Sequence, residues 1–203
     1  MVFQLKTFPS LLLYGFLLNL FLFGSCQQVD DQHDLPSITQ TGENTFGCII
    51  NGKVMTPRDG RGTFNLEDNG LRVFGSPESL DYIEIRVNDF ASKKTSSIVL
   101  HIESLHGIGD YKVNESNCYQ GIDSPNTTNI FCRVYDYKDK IYRSYCSYSN
   151  SGNISISRFE NDQFIAGEFY CSLRNVDDSS DEIKITEGRF DLNLSTLRSA
   201  NFP

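Results

Sequence analysis

An all-β domain, an antiparallel β-sandwich or flattened barrel of roughly eight to ten strands, is predicted by three observations. From Phe46 onward apolar and polar residues alternate with a period of two, most clearly at Ile83, Ile85 and Val87 and at Ile98, Leu100 and Ile102. Between these runs lie clusters of Asn, Asp, Gly and Ser, which favour turns because they tolerate unusual backbone angles or bond their own backbone. No stretch after residue 26 sustains a helical period. A single β domain is therefore placed at 44–203, preceded by a signal peptide at 1–25 and a flexible acidic tether at 26–43.

The signal peptide rests on the order of its zones. Lys6 is the only charge before Cys26, and the apolar run Leu11 to Phe23 is broken only by Gly15 and Asn19. That run is short of the ~20 residues needed for a spanning helix, and a positive start, an apolar centre and small residues before a cut mark a secretory signal. Phe23-Gly24-Ser25-Cys26 is similar to the bacterial lipobox, with Phe23 where that box usually has Leu. The similarity implies that Cys26 carries a diacylglycerol and a fatty acid such as palmitate. The expected partner is thus the membrane, through a covalent lipid. The segment after Cys26 is polar, contains Asp30, Asp31, Asp34 and Pro36, and has no apolar period, which is the composition of a flexible tether. It resembles the acidic export signal of Bacteroidota lipoproteins, which favours the outer face of the cell outer membrane over a periplasmic position. With 26 acidic against 18 basic residues and a net charge of −8, the chain is not built to bind nucleic acid or to adhere to anionic lipid through a basic patch.

Within the domain, Asn69-Gly70 is a two-residue hairpin signal that sets Glu67 opposite Arg72 and Leu66 opposite Val73. Further strands are expected at 152–159, 164–173 and 183–194. In the last of these, Ile183 and Ile185 occupy one parity while Phe190, Leu192 and Leu194 occupy the other. A bulge must absorb the difference, and Gly188 is where it costs least.

Six cysteines are present, and Cys26 leaves Cys48, Cys118, Cys132, Cys146 and Cys171. A hairpin centred on Asp139 places Cys132 opposite Cys146, making them the disulfide candidates in an exported chain; a one-residue register shift or reduced buried thiols are the competing readings. No Cys-x-x-Cys spacing supports a zinc ribbon or a redox motif. On the other face of that hairpin the same register puts Arg133, Tyr135, Arg143 and Tyr145 together. Aromatic and guanidinium groups in one patch form a candidate recognition face for a glycan or a protein, set against the plain alternative that Tyr is a good strand former.

Several segments resemble an uncharacterised family of Bacteroidota lipoproteins. These are Thr45-Phe46-Gly47-Cys48-Ile49-Ile50-Asn51-Gly52-Lys53, Gly109-Asp110-Tyr111, Gly167-Glu168-Phe169 and Thr186-Glu187-Gly188-Arg189-Phe190-Asp191. The resemblance implies an exported β-rich lipoprotein and carries no assigned activity. The residues themselves supply little chemistry for an enzyme. His101 and Glu103 share the polar face of one strand and read as an exposed pair rather than a catalytic or metal-binding one. Asp177 to Glu182 lacks the spacing and glycine of a calcium loop and reads as a solvated hairpin tip. Four Asn-x-Ser/Thr sequons permit a secreted glycoprotein, so the alternative function is a lipocalin-like carrier of a small apolar ligand. The expected function is a non-catalytic binding or accessory module at the cell surface, with no catalytic residue, cofactor or metal.

Overall fold

The computed structural model describes residues 34–62, 67–76, 81–118, 126–160 and 163–203. The expected signal peptide, Cys26 with the lipobox-like residues before it, and the start of the acidic segment lie outside the described residues, as do Leu66 and Tyr119. Ten strands form one antiparallel, strongly curled sheet, a half-barrel that fulfils the all-β expectation. They are β1 (Thr45–Ile50), β2 (Lys53–Met55), β3 (Leu71–Ser76), β4 (Tyr82–Asp89), β5 (Ser96–Glu103), β6 (Gly109–Val113), β7 (Asn129–Asp136), β8 (Ile141–Glu160), β9 (Phe164–Asn175) and β10 (Glu182–Asn193). Their order in the sheet is β2-β1-β10-β9-β8-β7-β5-β4-β3, with β6 on β8.

The alternating pattern decides which face is buried. Ile83 pairs with Ile102, Ile85 with Leu100 and Val87 with Ile98, so the apolar residues of β4 and β5 stack on the inner face and lose all contact with water. Phe46, Phe169 and Phe190 fill the same interior from β1, β9 and β10, with ring centroids 5.5 Å and 6.3 Å apart. Each fully buried Ile, Leu or Phe contributes on the order of 2 kcal/mol, which is why register is strongly specified throughout.

Strand β8 carries the architecture. One half, Ile141 to Cys146, pairs with β7, and the other, Gly152 to Ile156, pairs with β6, while β9 runs along the opposite edge. The stretches around Ile141 to Tyr148 and 152–159 are one strand with an interruption in its pairing to β9 between Ser147 and Gly152. Asn150, at φ 56°, supplies a left-handed residue there. The bulge expected near Gly188 is present: pairing of β10 with β9 skips from Ile185 to Gly188. Its positive φ belongs to Glu187, at 51°, and not to Gly188. Glycine is required at 188 for a different reason, because a Cβ there would sit 2.5 Å from the Phe169 ring.

Two expectations are corrected. Asn69-Gly70 does not make a hairpin turn, since neither residue takes a positive φ and β3 pairs with β4. The segment at 58–60 takes the place beside it instead: the Gly70 N–H donates to Asp59 Oδ1 at 2.6 Å, and a Cβ on Gly70 would lie 2.6 Å from the Arg58 backbone nitrogen. Arg72 meets Glu67 only through a guanidinium bond to its backbone carbonyl. The second correction concerns the tether. Its final part is pinned to the domain by Asp191, a carboxylate only 1% exposed. Asp191 accepts bonds from the Thr39 hydroxyl at 2.7 Å and from the Thr41, Gly42 and Glu43 N–H groups at 2.9, 2.8 and 3.3 Å. Pro36 packs so tightly on β1 that a Cβ on Gly47 would fall 2.5 Å from its ring. Apolar periodicity could not signal this order, which comes from backbone donors satisfying one buried charge.

Replacing Asp191 with Ala should therefore destabilise the domain by about 2–3 kcal/mol, as each orphaned donor loses a charge-assisted partner. Denaturant melts should show the loss, and limited proteolysis should show new cleavage between Leu35 and Glu43 that wild type resists.

Candidate recognition face

The hairpin of β7 and β8 turns through Tyr137 to Lys140, with Lys140 at φ 58°. Asp136 fixes this turn. One carboxylate oxygen accepts the N–H groups of Lys138 and Asp139 at 2.8 and 3.3 Å, and the other accepts Arg143 Nε at 2.8 Å. Its own carboxyl is held below the usual range, chiefly by the Arg143 bond. A four-residue turn closed in this way centres the hairpin between Lys138 and Asp139. Phe131 then pairs with Cys146, Cys132 with Tyr145 and Tyr135 with Tyr142.

That one-residue difference overturns the expected disulfide. Cys132 points inward with no exposure, and burial pushes its thiol up to about 12. Cys146 points outward and is bonded to Cys118, with Cα atoms 5.6 Å apart. The bond secures the connection between β6 and β7 against the outer face, where Cys118 and Cys146 pack with Val99 and Phe131. Cys48, Cys132 and Cys171 remain as buried thiols. Burial also raises Cys48, with a smaller push from Cys132, and both thiols belong to the same core cluster.

The same register divides the expected recognition face. Arg133 and Tyr135 do lie on the outer surface. Tyr145 is inward and 5% exposed, its hydroxyl donating to Asp181 Oδ2 at 2.9 Å; burial first, then Asp181, pushes that phenol up to about 12. Arg143 shares the parity of Tyr145 and clamps the turn through Asp136 and Asp139. Tyr142, which a hairpin centred on Asp139 leaves off this face, takes their position. Arg133 Cζ lies 4.3 Å from its ring centroid, and Tyr135 meets it edge-on at 5.1 Å. Tyr135 also meets Tyr137 edge-on at 5.1 Å and carries Lys94 Nζ at 4.4 Å. Toward the β3 edge, Arg86 covers the Phe74 ring at 4.6 Å. A trough of about 410 Å³ connects these ends, lined among others by Arg72, Phe74, Arg86, Asn88, Val99 and Arg133.

His101 lies on the same outer side of β5 but is not the exposed residue expected from its parity. It is 5% exposed, beneath a stacked Tyr82 ring at 5.0 Å, beside Glu84 at 1% exposure. Nε2 lies 2.9 Å from Glu103 Oε2, while Nδ1 is 3.6 Å from Glu84 Oε2, a charge contact longer than a hydrogen bond. Glu84 is also bonded to Arg86. Neither His101 nor Glu103 is among the lining residues of the trough or of a second surface cavity along β3. The arrangement ties β4 to β5 electrostatically. At the acidic tip, Asp178 accepts the Ser180 N–H and hydroxyl, and Asp181 accepts Asn175 Nδ2 at 2.7 Å, so these carboxylates serve the hairpin itself.

Burial opposes charge on His101, but the Glu84 and Glu103 contacts outweigh it and raise its pKa above the ordinary 6.5. A raised folded-state pKa means the stabilisation is complete below about 6.5 and is lost as pH rises through the higher value. Thermal melts of wild type should show this falling limb on the alkaline side, and His101→Gln should flatten it while lowering stability by roughly 3 kcal/mol near neutral pH. For the disulfide, mapping of a non-reduced digest should recover Cys118 joined to Cys146, with Cys132 alkylated only after unfolding. Cys118→Ser should cost ~3–4 kcal/mol for a loop of 28 residues. No protein-family model, curated protein or solved structure matches this chain.

Proposed function

We propose that the chain is an exported lipoprotein, held at the outer membrane by Cys26 and displayed at the cell surface, whose β domain is a non-catalytic recognition module. The anchor is supported by the export signal, the similarity of Phe23 to Cys26 to a lipobox and the acidic residues that follow. Recognition is supported above all by the run of cation and ring pairs on the outer face: Arg133 with Tyr142, Lys94 with Tyr135 and Arg86 with Phe74. Aromatic rings at the surface offer large contact area at low entropy cost, and guanidinium groups held on them are already oriented toward a ligand. Phe74, Tyr137 and Tyr142 are 42%, 61% and 38% exposed, a grouping more typical of a binding surface than of an inert one. The His101 cluster supports this reading too, because its imidazole is engaged in holding strands and does not open onto the trough.

Metabolic labelling with an alkyne fatty acid should mark wild type and leave Cys26→Ser unlabelled, and protease shaving of whole cells should remove the domain. Unlabelled wild type would refute the anchor, and protection from protease would refute surface display. For recognition, full-length protein applied to mixed glycan and protein arrays should give signals that Tyr142→Ala removes. Arrays without any signal would refute the recognition reading.

A further inference from the structure

The trough on the outer face has an unusual charge arrangement for so acidic a chain. Arg72 on β3 and Arg86 on β4 are directly opposed in register. Like charges in that position are destabilising. A third guanidinium, Arg133, closes the far side. Arg86 is balanced by Glu84. Among the described residues, Arg72 and Arg133 have no carboxylate partner: Arg72 is held by the neutral carbonyl of Glu67 and Arg133 by the face of Tyr142. The chain has 26 acidic residues against 18 basic, and Arg58, Arg143, Arg158, Arg174 and Arg189 pair with carboxylates, while Arg61 and Arg198, which do not line the trough, have no such pair among the described residues.

We infer that the trough binds a carboxylated polysaccharide, a chain of sugar rings bearing uronate-type carboxylates. This rests on the recognition reading above and names its ligand class. A guanidinium presents a planar fork that matches a carboxylate with two parallel bonds, so Arg72 and Arg133 are suited to the acid group. Phe74 and Phe90 supply apolar surface for ring faces, and Asn88 and Ser97 supply amide and hydroxyl partners for ring hydroxyls. Glu67 and Asp68 also line the trough, so its charge is mixed. Mixed charge disfavours a dense polyanion such as a polyphosphate and suits one whose carboxylates are separated by neutral ring atoms. An acidic peptide is the poorer fit, since the trough crosses the face of β3, β4, β5 and β7 and offers side chains, not the free backbone edge that strand addition uses.

The test is calorimetric titration of the full-length chain in detergent with oligogalacturonate, its methyl-esterified form and polyglutamate. Oligogalacturonate should bind in a salt-sensitive manner, the ester and polyglutamate at least tenfold more weakly. Arg72→Ala and Arg133→Ala should each weaken binding at least tenfold while melting as wild type does, Arg133→Lys should recover only part, and Arg198→Ala should bind normally. Equal binding of the ester, lost in Tyr142→Ala, would overturn the acidic class and leave the recognition reading intact. Equal binding of polyglutamate, unchanged binding in the Arg72→Ala, Arg133→Ala double variant, or no binding by any probe would overturn the inference. Only arrays with no signal for wild type would remove the recognition reading with it.

Discussion

The turn clamped by Asp136 decides which side of the sheet each chemically useful residue of β7 and β8 occupies. Because side chains alternate with a period of two, a hairpin shifted by one residue exchanges its faces. With the observed register Cys132 and Tyr145 enter the core, Cys146 emerges to meet Cys118, and Arg133, Tyr135 and Tyr142 share the outer surface. Both the disulfide and the aromatic surface are consequences of two backbone bonds and one guanidinium bond to a single carboxylate.

The two faces of the sheet are stabilised by different physics. Inside, β4, β5, β9 and β10 contribute close-packed aliphatic and aromatic side chains with no polar compensation needed. Outside, beyond the apolar cluster around the Cys118–Cys146 bond, charge adds stability: His101 lies between Glu84 and Glu103, with Arg86 on Glu84 and the Tyr82 ring as a lid over the imidazole. A low-dielectric electrostatic cluster beside an open trough keeps the scaffold under the trough rigid, because β4 and β5 cannot slide without separating buried charges.

Much of the fold was legible because its signals are local. The alternation at Ile83 to Val87 and at Ile98 to Ile102 specifies strand, face and pairing together, and the parity change between Ile185 and Phe190 located the bulge to within two residues. What could not be read depended on long-range geometry. Asn69-Gly70 has the composition of a tight turn, but the glycine serves close approach to Arg58, 12 positions earlier in the chain. Cys118 sits in a connection without period, so nothing nearby aimed it at Cys146. His101 has the parity of a surface residue and is buried by neighbours from other strands. For the recognition face the composition was informative and the register was not: Arg133 and Tyr135 were identified from alternation, while Tyr142 required the turn to be known.

The Asp191 clasp also sets a length scale. In the proposed anchoring, Pro36 is the first residue held against the domain by both packing and an Arg189 bond to its carbonyl, so only Gln27 to Leu35 separate the lipid from the folded body. An extended chain covers at most ~3.5 Å per residue, which limits that leash to about 30 Å. Under the proposed anchoring, so short a lead would keep the attachment point of the domain within the layer immediately above the bilayer.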